Sequence, residues 1–350
     1  MNRITLSPVL KGGLLALLAA ALFGLSTPLV QLWGRGLGPF TTAGLLYAGA
    51  AIVAVFIRRP RDREAQLQRR DAGRLLAMAC FGAVIGPVAL AWGLQHTSGA
   101  SASLMLALEA VFTALLARWL YGETVDRRVV LAMASLLAGG LALALEQGLQ
   151  GTVQLLGLLA VLLATVAWGM DNTLSRGVAD RDPGQVVLAK STLGAVATLA
   201  LAWLFAEPLP GWREGAMLLA IGASGYGLSL RFYLLAQRTF GAARTGSVFA
   251  FAPFIGAVSA WGMGERGASL LLLAGGALML LGVVMHLFES HDHEHAHEAL
   301  EHEHAHRHDD GHHTHAHDPM PEGAHSHLHR HQPLVHRHPH VPDQHHLHRH

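Results

Sequence analysis

The chain has 350 residues, of which 51% are apolar and only 14% are charged, and its formal net charge is +1. Soluble domains carry about 25% charged residues, so this composition is not typical of one. The single cysteine, Cys80, excludes a disulfide framework and zinc or iron–sulfur sites built from several thiolates. The near-neutral charge and the scattered basic residues argue against a nucleic-acid partner.

The histidines divide the chain into two parts. All but two of the 25 histidines, His96 and His286, lie between residues 289 and 350. The residues before this tail are correspondingly richer in apolar side chains. Such a composition is typical of a membrane domain followed by a polar tail.

Ten predominantly apolar stretches, with few charged residues, are each close to the length of about 20 residues that crosses the hydrocarbon of a bilayer as a helix. Backbone groups inside a bilayer have no water to bind, so these stretches must be helical, and the predicted fold is an all-α membrane protein with ten transmembrane helices. The predicted spans are residues 10–32, 40–57, 75–93, 100–120, 129–145, 155–175, 185–205, 215–235, 245–262 and 268–288.

The arginines of the loops predict the orientation of these spans. They concentrate in alternate loops, at residues 58–74, 127–128, 176–181 and 238–244, whereas the other loops hold only Arg35, Arg213 and Arg266. Short cytoplasmic loops carry the excess of basic residues. We therefore expect a multi-pass protein of the bacterial inner membrane with both termini in the cytoplasm.

An internal repeat relates the two halves of the membrane domain. Residues 95–100 (QHTSGA) reappear as residues 237–242 (QRTFGA), and Gly122-Glu123 reappears at the same offset as Gly264-Glu265. Five spans are an odd number, so two copies must have opposite orientations in the membrane, as in the inverted repeats of secondary transporters. The predicted organisation is a first repeat at residues 1–148, a second at 149–288 and a tail at 289–350.

Several ordered motifs resemble the EamA-type transporters of the drug/metabolite transporter superfamily, and the resemblance covers residues 10–288. The motifs of both halves are Ser101–Leu104, Leu108–Ala117, Gly122-Glu123, Asp171–Arg176, Gly241–Gly246, Ala252–Phe254 and Gly264-Glu265. The resemblance implies a secondary transporter, an exporter of a small solute or metabolite that works by alternating access. We expect no required cofactor and no enzymatic activity, because the predicted cytoplasmic face has no nucleophile–base pair and no phosphate-binding glycine loop. We also expect a monomer or homodimer in the lipid bilayer.

Glu109 lies near the middle of the fourth span. A charge at the centre of a bilayer costs about 2.5–3.5 kcal/mol on insertion scales, so an ionisable residue there indicates function. One interpretation is that Glu109 binds a cationic group or carries a coupling proton. The other is that it only ties two helices together by hydrogen bonding.

Asp171, its neighbour Asn172, Lys190 and Arg231 lie near the inner ends of their spans. Counting residues from the span ends places the three charged groups at similar depths, and Glu109 at a different depth. An ion cluster of Asp171, Lys190 and Arg231 is therefore expected, either as a gate or structural lock or in contact with the solute.

Trp92, Trp168 and Trp261 lie inside spans and are candidates for the wall of a central cavity, where an indole ring offers an apolar or cation–π surface. The alternative is that they anchor the protein at the membrane interface, where tryptophan is common.

The tail is expected to be disordered, because it has too few apolar residues to form a core. Its repeated His-x-His pattern predicts binding of divalent zinc, nickel or cobalt, since imidazole is a common ligand for these metals. The candidate ligands are His291, His293, His295, His297, His302, His304, His306, His308, His312, His313, His315 and His317. The tail keeps two alternatives open, a divalent metal permease and a membrane-anchored metal buffer or sensor that does not transport.

Overall fold

The computed structural model describes residues 8–57, 65–121, 127–178, 181–240, 242–267 and 269–287. In the tail it describes residues 291–297, 300–306, 325–331 and 334–340. The membrane part within these ranges consists of helices and the turns that connect them.

The helices of the first repeat correspond to its five predicted spans, and the spans are numbered here in the order of that prediction. Span one is α1 (Pro8–Trp33), span two is α2 (Pro39–Phe56), span three combines α3 (Ala72–Ala79) and α4 (Gly86–Leu94), span four combines α5 (Gly99–Met105) and α6 (Glu109–Tyr121), and span five is α7 (Arg127–Gln150).

The second repeat has the same arrangement. Span six is α8 (Thr152–Ser175), span seven is α9 (Pro183–Leu204), span eight combines α10 (Trp212–Ile221) and α11 (Ser229–Phe240), span nine combines α12 (Ala242–Phe249) and α13 (Ala252–Gly262), and span ten is α14 (Leu270–Leu287).

Among the described residues, nine of these segments are long and apolar enough to cross a membrane. The tenth predicted span corresponds to a shorter apolar helix, whose apolar part is Leu270–Met285. Spans three and eight begin before their predicted limits, at Arg69 and Trp212, because their charged first turns continue the helix beyond the apolar stretch.

Four spans are interrupted, and the interruptions match between the repeats. Spans three and eight contain π-helical turns at Cys80–Ile85 and Gly222–Leu228. Span four contains a 3₁₀ turn at Leu106–Leu108, and span nine breaks between α12 and α13. The two π turns begin 142 residues apart, which is the offset of Gln95 and Gln237, and the interruptions of spans four and nine agree with this offset to within about two residues. Helix breaks and π turns in membrane proteins commonly mark binding sites, because they release backbone groups from the regular ladder.

The contacts between the helices are the same when the first repeat is exchanged for the second. Span two packs on span seven, and span five packs on span ten. Span one packs on spans eight and nine, and its counterpart, span six, packs on spans three and four. Every one of these contacts has its partner under the exchange, as a pseudo-two-fold relation between the repeats requires.

Glycines allow the closest of these approaches. A Cβ atom at Gly139 would lie 2.6 Å from the carbonyl oxygen of Gly275, and one at Gly275 would lie 3.0 Å from the carbonyl oxygen of Gly139. The backbones of spans five and ten therefore touch where these two glycines cross, as expected for small residues in membrane helix packing.

The tail differs from the expected disorder in four short segments. Strand β1 (His291–His297) pairs with β4 (Leu334–His340), and β2 (Leu300–His306) pairs with β3 (His325–His331), both in antiparallel fashion. The expectation of disorder considered only the lack of an apolar core. The alternation of His with other residues has the two-residue period of a strand, and backbone hydrogen bonds join the strands. Candidate ligands His308, His312, His313, His315 and His317 lie outside the described residues.

Candidate functional site

Glu109 begins α6, directly after the 3₁₀ turn of span four. The side-chain amide of Asn172, in span six, donates a short hydrogen bond to its Oε1 atom. This bond connects the interrupted helix of the first repeat to the first helix of the second. Glu109 therefore lies at the boundary between the repeats.

Asp171 and Lys190 form an ion pair beside this bond. The Lys190 ammonium group of span seven donates to Oδ2 of Asp171, and both residues are only 4% exposed. The other oxygen, Oδ1 of Asp171, is buried and has no hydrogen-bond partner among the described residues. An unsatisfied buried carboxylate oxygen is costly and leaves a position where a donor can bind.

The π turn of span three supports this ion pair. A Cβ atom at Gly82 would collide with the carboxylate of Asp171 and would lie 2.8 Å from the Lys190 nitrogen. The carbonyl oxygen of Gly82 accepts hydrogen bonds from the Tyr47 hydroxyl and, at 3.0 Å, from Nε1 of Trp168. Two side chains from spans two and six thus satisfy a carbonyl of the irregular turn, and Gly82 does more than allow close packing.

Aromatic rings from several spans meet next to the ion pair. The ring of Phe23, in span one, lies 5.6 Å from that of Trp168 and 5.9 Å from that of Tyr226, in edge-on geometry. Tyr226 in turn contacts Tyr47 at 5.6 Å. The hydroxyl of Tyr226 is buried without a hydrogen-bond partner among the described residues. The centre of the bundle therefore combines flat apolar surfaces with a few polar groups, which is typical of small-molecule sites.

The structure brings together most of the charged residues that the sequence singles out, and it corrects one expectation. Asp171 pairs with Lys190, as their similar depths predict. Glu109 was expected at a different depth from Asp171, but Asn172 joins it to the same layer. Counting from span ends assumes straight helices, and span four is interrupted immediately before Glu109.

The other candidates have different surroundings. Arg231 donates to the carbonyl oxygen of Ile57, at the end of span two near the arginine-rich loops. Trp92 stacks on His96, with ring centroids 4.2 Å apart, at the end of span three on the opposite side of the bundle. Of Trp92 and Trp168, it is thus Trp168 that lies at the centre, 6% exposed.

Several interactions at the inner end, the end near the arginine-rich loops, join the repeats and were not anticipated. Nε of Arg181 lies 2.9 Å from Oδ2 of Asp71, and both residues are buried. Close by, the backbone nitrogen of Asp182 donates to the carbonyl oxygen of Ala65 at 2.8 Å. We call these two contacts the inner clamp. Arg181 was counted only as a signal of orientation, and Asp71 was not singled out, because loop charges in a sequence do not show which of them pair.

The outer end holds a buried polar network that the sequence also did not indicate. The Glu146 carboxylate, 5% exposed, accepts hydrogen bonds from Gln147 and Gln150, each at 2.9 Å, and from Ser269 at 3.1 Å. The carboxylate of Glu265 accepts from the backbone nitrogen of Ala100 at 3.1 Å. These bonds tie the ends of spans four and five to the loop before span ten. Glu265 belongs to the repeated Gly-Glu motif, which was the available signal.

The cavity beside the ion pair is narrow. It is lined by Asp171, Asn172, Lys190 and Tyr233, among others, and has a volume of about 20 Å³. That volume holds about one water molecule. A wider depression of about 530 Å³ lies at the outer end, beside Gln31, Arg35 and His96. An organic solute therefore reaches the ion pair only if the helices move.

No group of three or more histidine, cysteine, aspartate or glutamate side chains is arranged to hold a metal ion in the part of the chain that was described.

Comparison with known proteins finds a solved structure of similar fold and relatives that are named transporters or efflux pumps. A solved crystal structure superimposes with a TM-score of 0.57 and 18% identity, over 78% of this chain and 94% of that one. An uncharacterized transporter of Methanothermobacter thermautotrophicus is 27% identical over 291 residues, which are 76% of this chain and 82% of that protein.

Two curated relatives are named probable amino-acid metabolite efflux pumps. That of Escherichia coli K12 is 26% identical and that of Salmonella typhimurium 25% identical, each over 181 residues. The match covers 51% of this chain and 58% of either pump. Residues 10–145 and 155–288 each match the EamA-like transporter family, one copy in each predicted repeat. The chain therefore belongs to the EamA-like transporter family.

Proposed function

We propose that the protein is an inner-membrane exporter of a small amino-acid-like metabolite, which it moves by alternating access. The observation that supports this proposal is two neighbouring polar contacts at the centre of the bundle. Asn172 donates a hydrogen bond to Glu109, and Lys190 forms an ion pair with Asp171. The first contact joins span four of the first repeat to span six of the second. The second lies within the second repeat, against the π turn of span three. A site in this position can be exposed to either side of the membrane when one repeat moves against the other.

The charges of the site support this class of solute. Asp171 has an oxygen without a partner among the described residues, which can accept from an ammonium group. Lys190 can bind a carboxylate once its pairing with Asp171 is broken. A zwitterion satisfies both groups as it separates them, and this keeps their charges compensated in a low-dielectric interior. The names of the two efflux pumps agree with an amino-acid-like solute.

The roles that we assign follow from the same contacts. Glu109 is the central group, which binds the solute's cation or carries a coupling proton, and Asn172 positions it. The Asp171 and Lys190 pair, with its cavity too small for an organic solute, is the inner gate. Outward movement requires this gate to open towards the cytoplasm first, take the solute, and close behind it.

We further propose that the His-rich tail binds divalent metal such as zinc, nickel or cobalt. The support is the density of imidazole groups in the sequence between residues 289 and 350. On this proposal the tail buffers or senses metal at the inner face of the membrane, outside the translocation path.

The test is counterflow in liposomes that contain the purified full chain. Radiolabelled leucine, threonine and phenylalanine represent apolar, polar and aromatic side chains, and radiolabelled zinc is measured in parallel. We expect at least one amino acid to accumulate against protein-free liposomes, and zinc not to accumulate. Accumulation of zinc alone would support a metal permease, and no flux of any probe would contradict the proposed substrate class.

A chain that ends at Phe288 separates the contributions of the membrane domain and the tail. We expect this shortened chain to transport the amino acid at the rate of the full chain, because the central site lies within spans one to ten. Loss of amino-acid flux in the shortened chain would show that the tail belongs to the transport mechanism.

A further inference from the structure

The outer ends of spans seven and nine share a short sequence and a common backbone conformation. Residues 202–207 (AWLFAE) and 260–265 (AWGMGE) have alanine, tryptophan and glutamate at the same positions. At each helix end, two backbone nitrogens bond back to carbonyl oxygens three and five residues earlier, at 2.9–3.1 Å, as in a Schellman motif. Each motif therefore places a glutamate, Glu207 or Glu265, directly beyond the end of its span.

The residue before each glutamate has a left-handed backbone. Gly264 has a φ of +97°, and its counterpart Ala206 has a φ of +52°. Glycine adopts this conformation freely, whereas the side chain of alanine makes it strained. Other contacts of the segment around Glu207 must therefore hold Ala206 in this conformation.

Both glutamates bind the start of a span in the other repeat. The Glu207 carboxylate accepts from the backbone nitrogens of Phe40 and Thr41, at 3.1 and 2.6 Å, where span two begins. The Glu265 carboxylate accepts from the backbone nitrogen of Ala100, at 3.1 Å, where span four begins. The first N–H groups of a helix lack partners within it, and the helix dipole favours a carboxylate there. Each contact therefore joins a span to its own counterpart, seven to two and nine to four.

Two glycines leave room for these carboxylates. A Cβ atom at Gly38, just before span two, would collide with the Glu207 carboxylate. A Cβ atom at Gly99, at the start of span four, would lie 3.0 Å from Oε2 of Glu265. Both glutamates are only partly buried. Water can therefore replace them on the backbone nitrogens when the helix ends separate, so these contacts can break and form again.

The inner end has an equivalent contact. Under the offset of 142 residues that relates the repeats, Phe40 corresponds to Asp182 and Glu207 corresponds to Ala65. In the inner clamp, the backbone nitrogen of Asp182 donates to the carbonyl oxygen of Ala65 at 2.8 Å. Equivalent positions thus join spans two and seven at both ends, through a carboxylate outside and a backbone carbonyl inside. Alternating access between inverted repeats requires contacts at the two ends that open in turn.

We propose that Glu207 and Glu265 form the outer gate of the transporter, and that both of their contacts must break before the central site opens to the outside. This inference rests on the proposed alternating access and does not depend on which solute is carried. Spans seven and nine belong to the second repeat and spans two and four to the first, so the two carboxylates hold the repeats together at this end. The inner gate, Asp171 with Lys190, closes only the other side.

The test uses a cysteine that becomes reactive when the outer end opens. In the full chain without its own cysteine (Cys80→Ser), Ser103→Cys places a thiol about one helical turn inside Ala100. Ser103 is buried, and a Cβ atom at Gly256 of span nine would lie 2.8 Å from its hydroxyl oxygen, so it lies between the spans that Glu265 connects. A membrane-impermeant maleimide, added to right-side-out membrane vesicles, measures the opening without any solute.

Removing either carboxylate should open the outer end more often. We expect Glu265→Ala and Glu207→Ala each to raise the labelling rate of the Ser103→Cys chain about tenfold, because each removes hydrogen bonds to a charged group. The matched control is Glu214→Ala. Glu214 also lies near the start of a helix at the outer end, but in the first turn of its own helix, α10, so its loss should leave labelling unchanged.

A second reporter separates opening of the gate from loss of structure. In the same cysteine-free background, Met78→Cys places the thiol in the buried cluster of Leu75, Val178 and Val186 near the inner end. It should stay unlabelled from the outside in every variant, because only outer contacts are removed.

Unchanged labelling of Ser103→Cys in either glutamate variant, or an equal rise at Met78→Cys, would overturn the outer gate. Increased labelling at Ser103→Cys alone, in both variants, would support the gate even if no amino acid showed counterflow, and then only the proposed solute class would fail. Amino-acid counterflow with unchanged labelling would refute the gate and leave the proposed transport standing.

Discussion

At the scale of single residues, the centre of the molecule contains close contacts that a larger side chain would disrupt. Gly82 lies so close to the ion pair that an added Cβ atom would collide with the Asp171 carboxylate. Its carbonyl oxygen accepts hydrogen bonds from Tyr47 and Trp168. The sequence suggests Asp171 and Lys190 as partners because both are charged and similarly deep. The sequence does not suggest Gly82 or Tyr47, because hydropathy does not show which backbone carbonyl oxygen a π turn leaves available to side-chain donors.

Replacing Gly82 with alanine tests this contact. We expect Gly82→Ala to destabilise the protein by about 1–3 kcal/mol, as overpacking of an interior does, and to reduce transport because the ion pair is displaced. Thermal unfolding in detergent and counterflow measure the two effects. The matched control is Gly73→Ala in the same span, where an added Cβ meets nothing within 4 Å. If both variants unfolded at the same temperature, the close contact would be refuted.

Two tyrosines provide a second comparison. Tyr47→Phe removes a hydroxyl that donates to Gly82, and we expect it to cost about 0.5–1 kcal/mol. Tyr226→Phe removes a buried hydroxyl that has no hydrogen-bond partner among the described residues, so it should have little effect or stabilise slightly. The unfolding temperatures of the two variants measure the two stability changes. A larger loss from Tyr226→Phe would contradict the assigned hydrogen bond.

At the scale of helices, the ends and the interiors of the spans differ in how well the sequence predicts them. The predicted limits agree with the helices to within several residues, since both follow the apolar stretch. The π turns at Cys80–Ile85 and Gly222–Leu228 were not predicted, because a shift of one backbone hydrogen bond leaves the apolar content unchanged. The strands of the tail were not predicted, because the absence of an apolar core was weighed above the two-residue period.

The inner clamp makes a prediction at this scale. Asp71 and Arg181 are both buried, so removing one partner leaves an uncompensated charge. We expect Asp71→Ala and Arg181→Ala each to cost about 3–5 kcal/mol, and the double variant to cost less than the sum of the two. Chemical unfolding in detergent measures this double-mutant cycle. Strict additivity would show that the pair does not hold the repeats together.

At the scale of the whole molecule, the repeat predicted by short motifs appears in the packing. The pairs of spans two and seven and of spans five and ten relate each repeat to the other, and the polar groups of the centre lie where the repeats meet. The sequence does not predict the hydrogen bond from Asn172 to Glu109. That contact depends on how far the interrupted fourth span leans towards the sixth, which is a property of three-dimensional packing.

The measurement that tests the account most directly is amino-acid counterflow by Glu109→Gln, a variant that keeps the size of the side chain and removes its charge. The control is Glu214→Gln, the same change in the first turn of α10, away from the centre. We predict that Glu109→Gln inserts normally but transports at least about tenfold more slowly, as expected for loss of a hydrogen bond to a charged group, whereas Glu214→Gln transports as the unmodified chain does. Unchanged transport by Glu109→Gln would remove this residue, and the site built around it, from the mechanism.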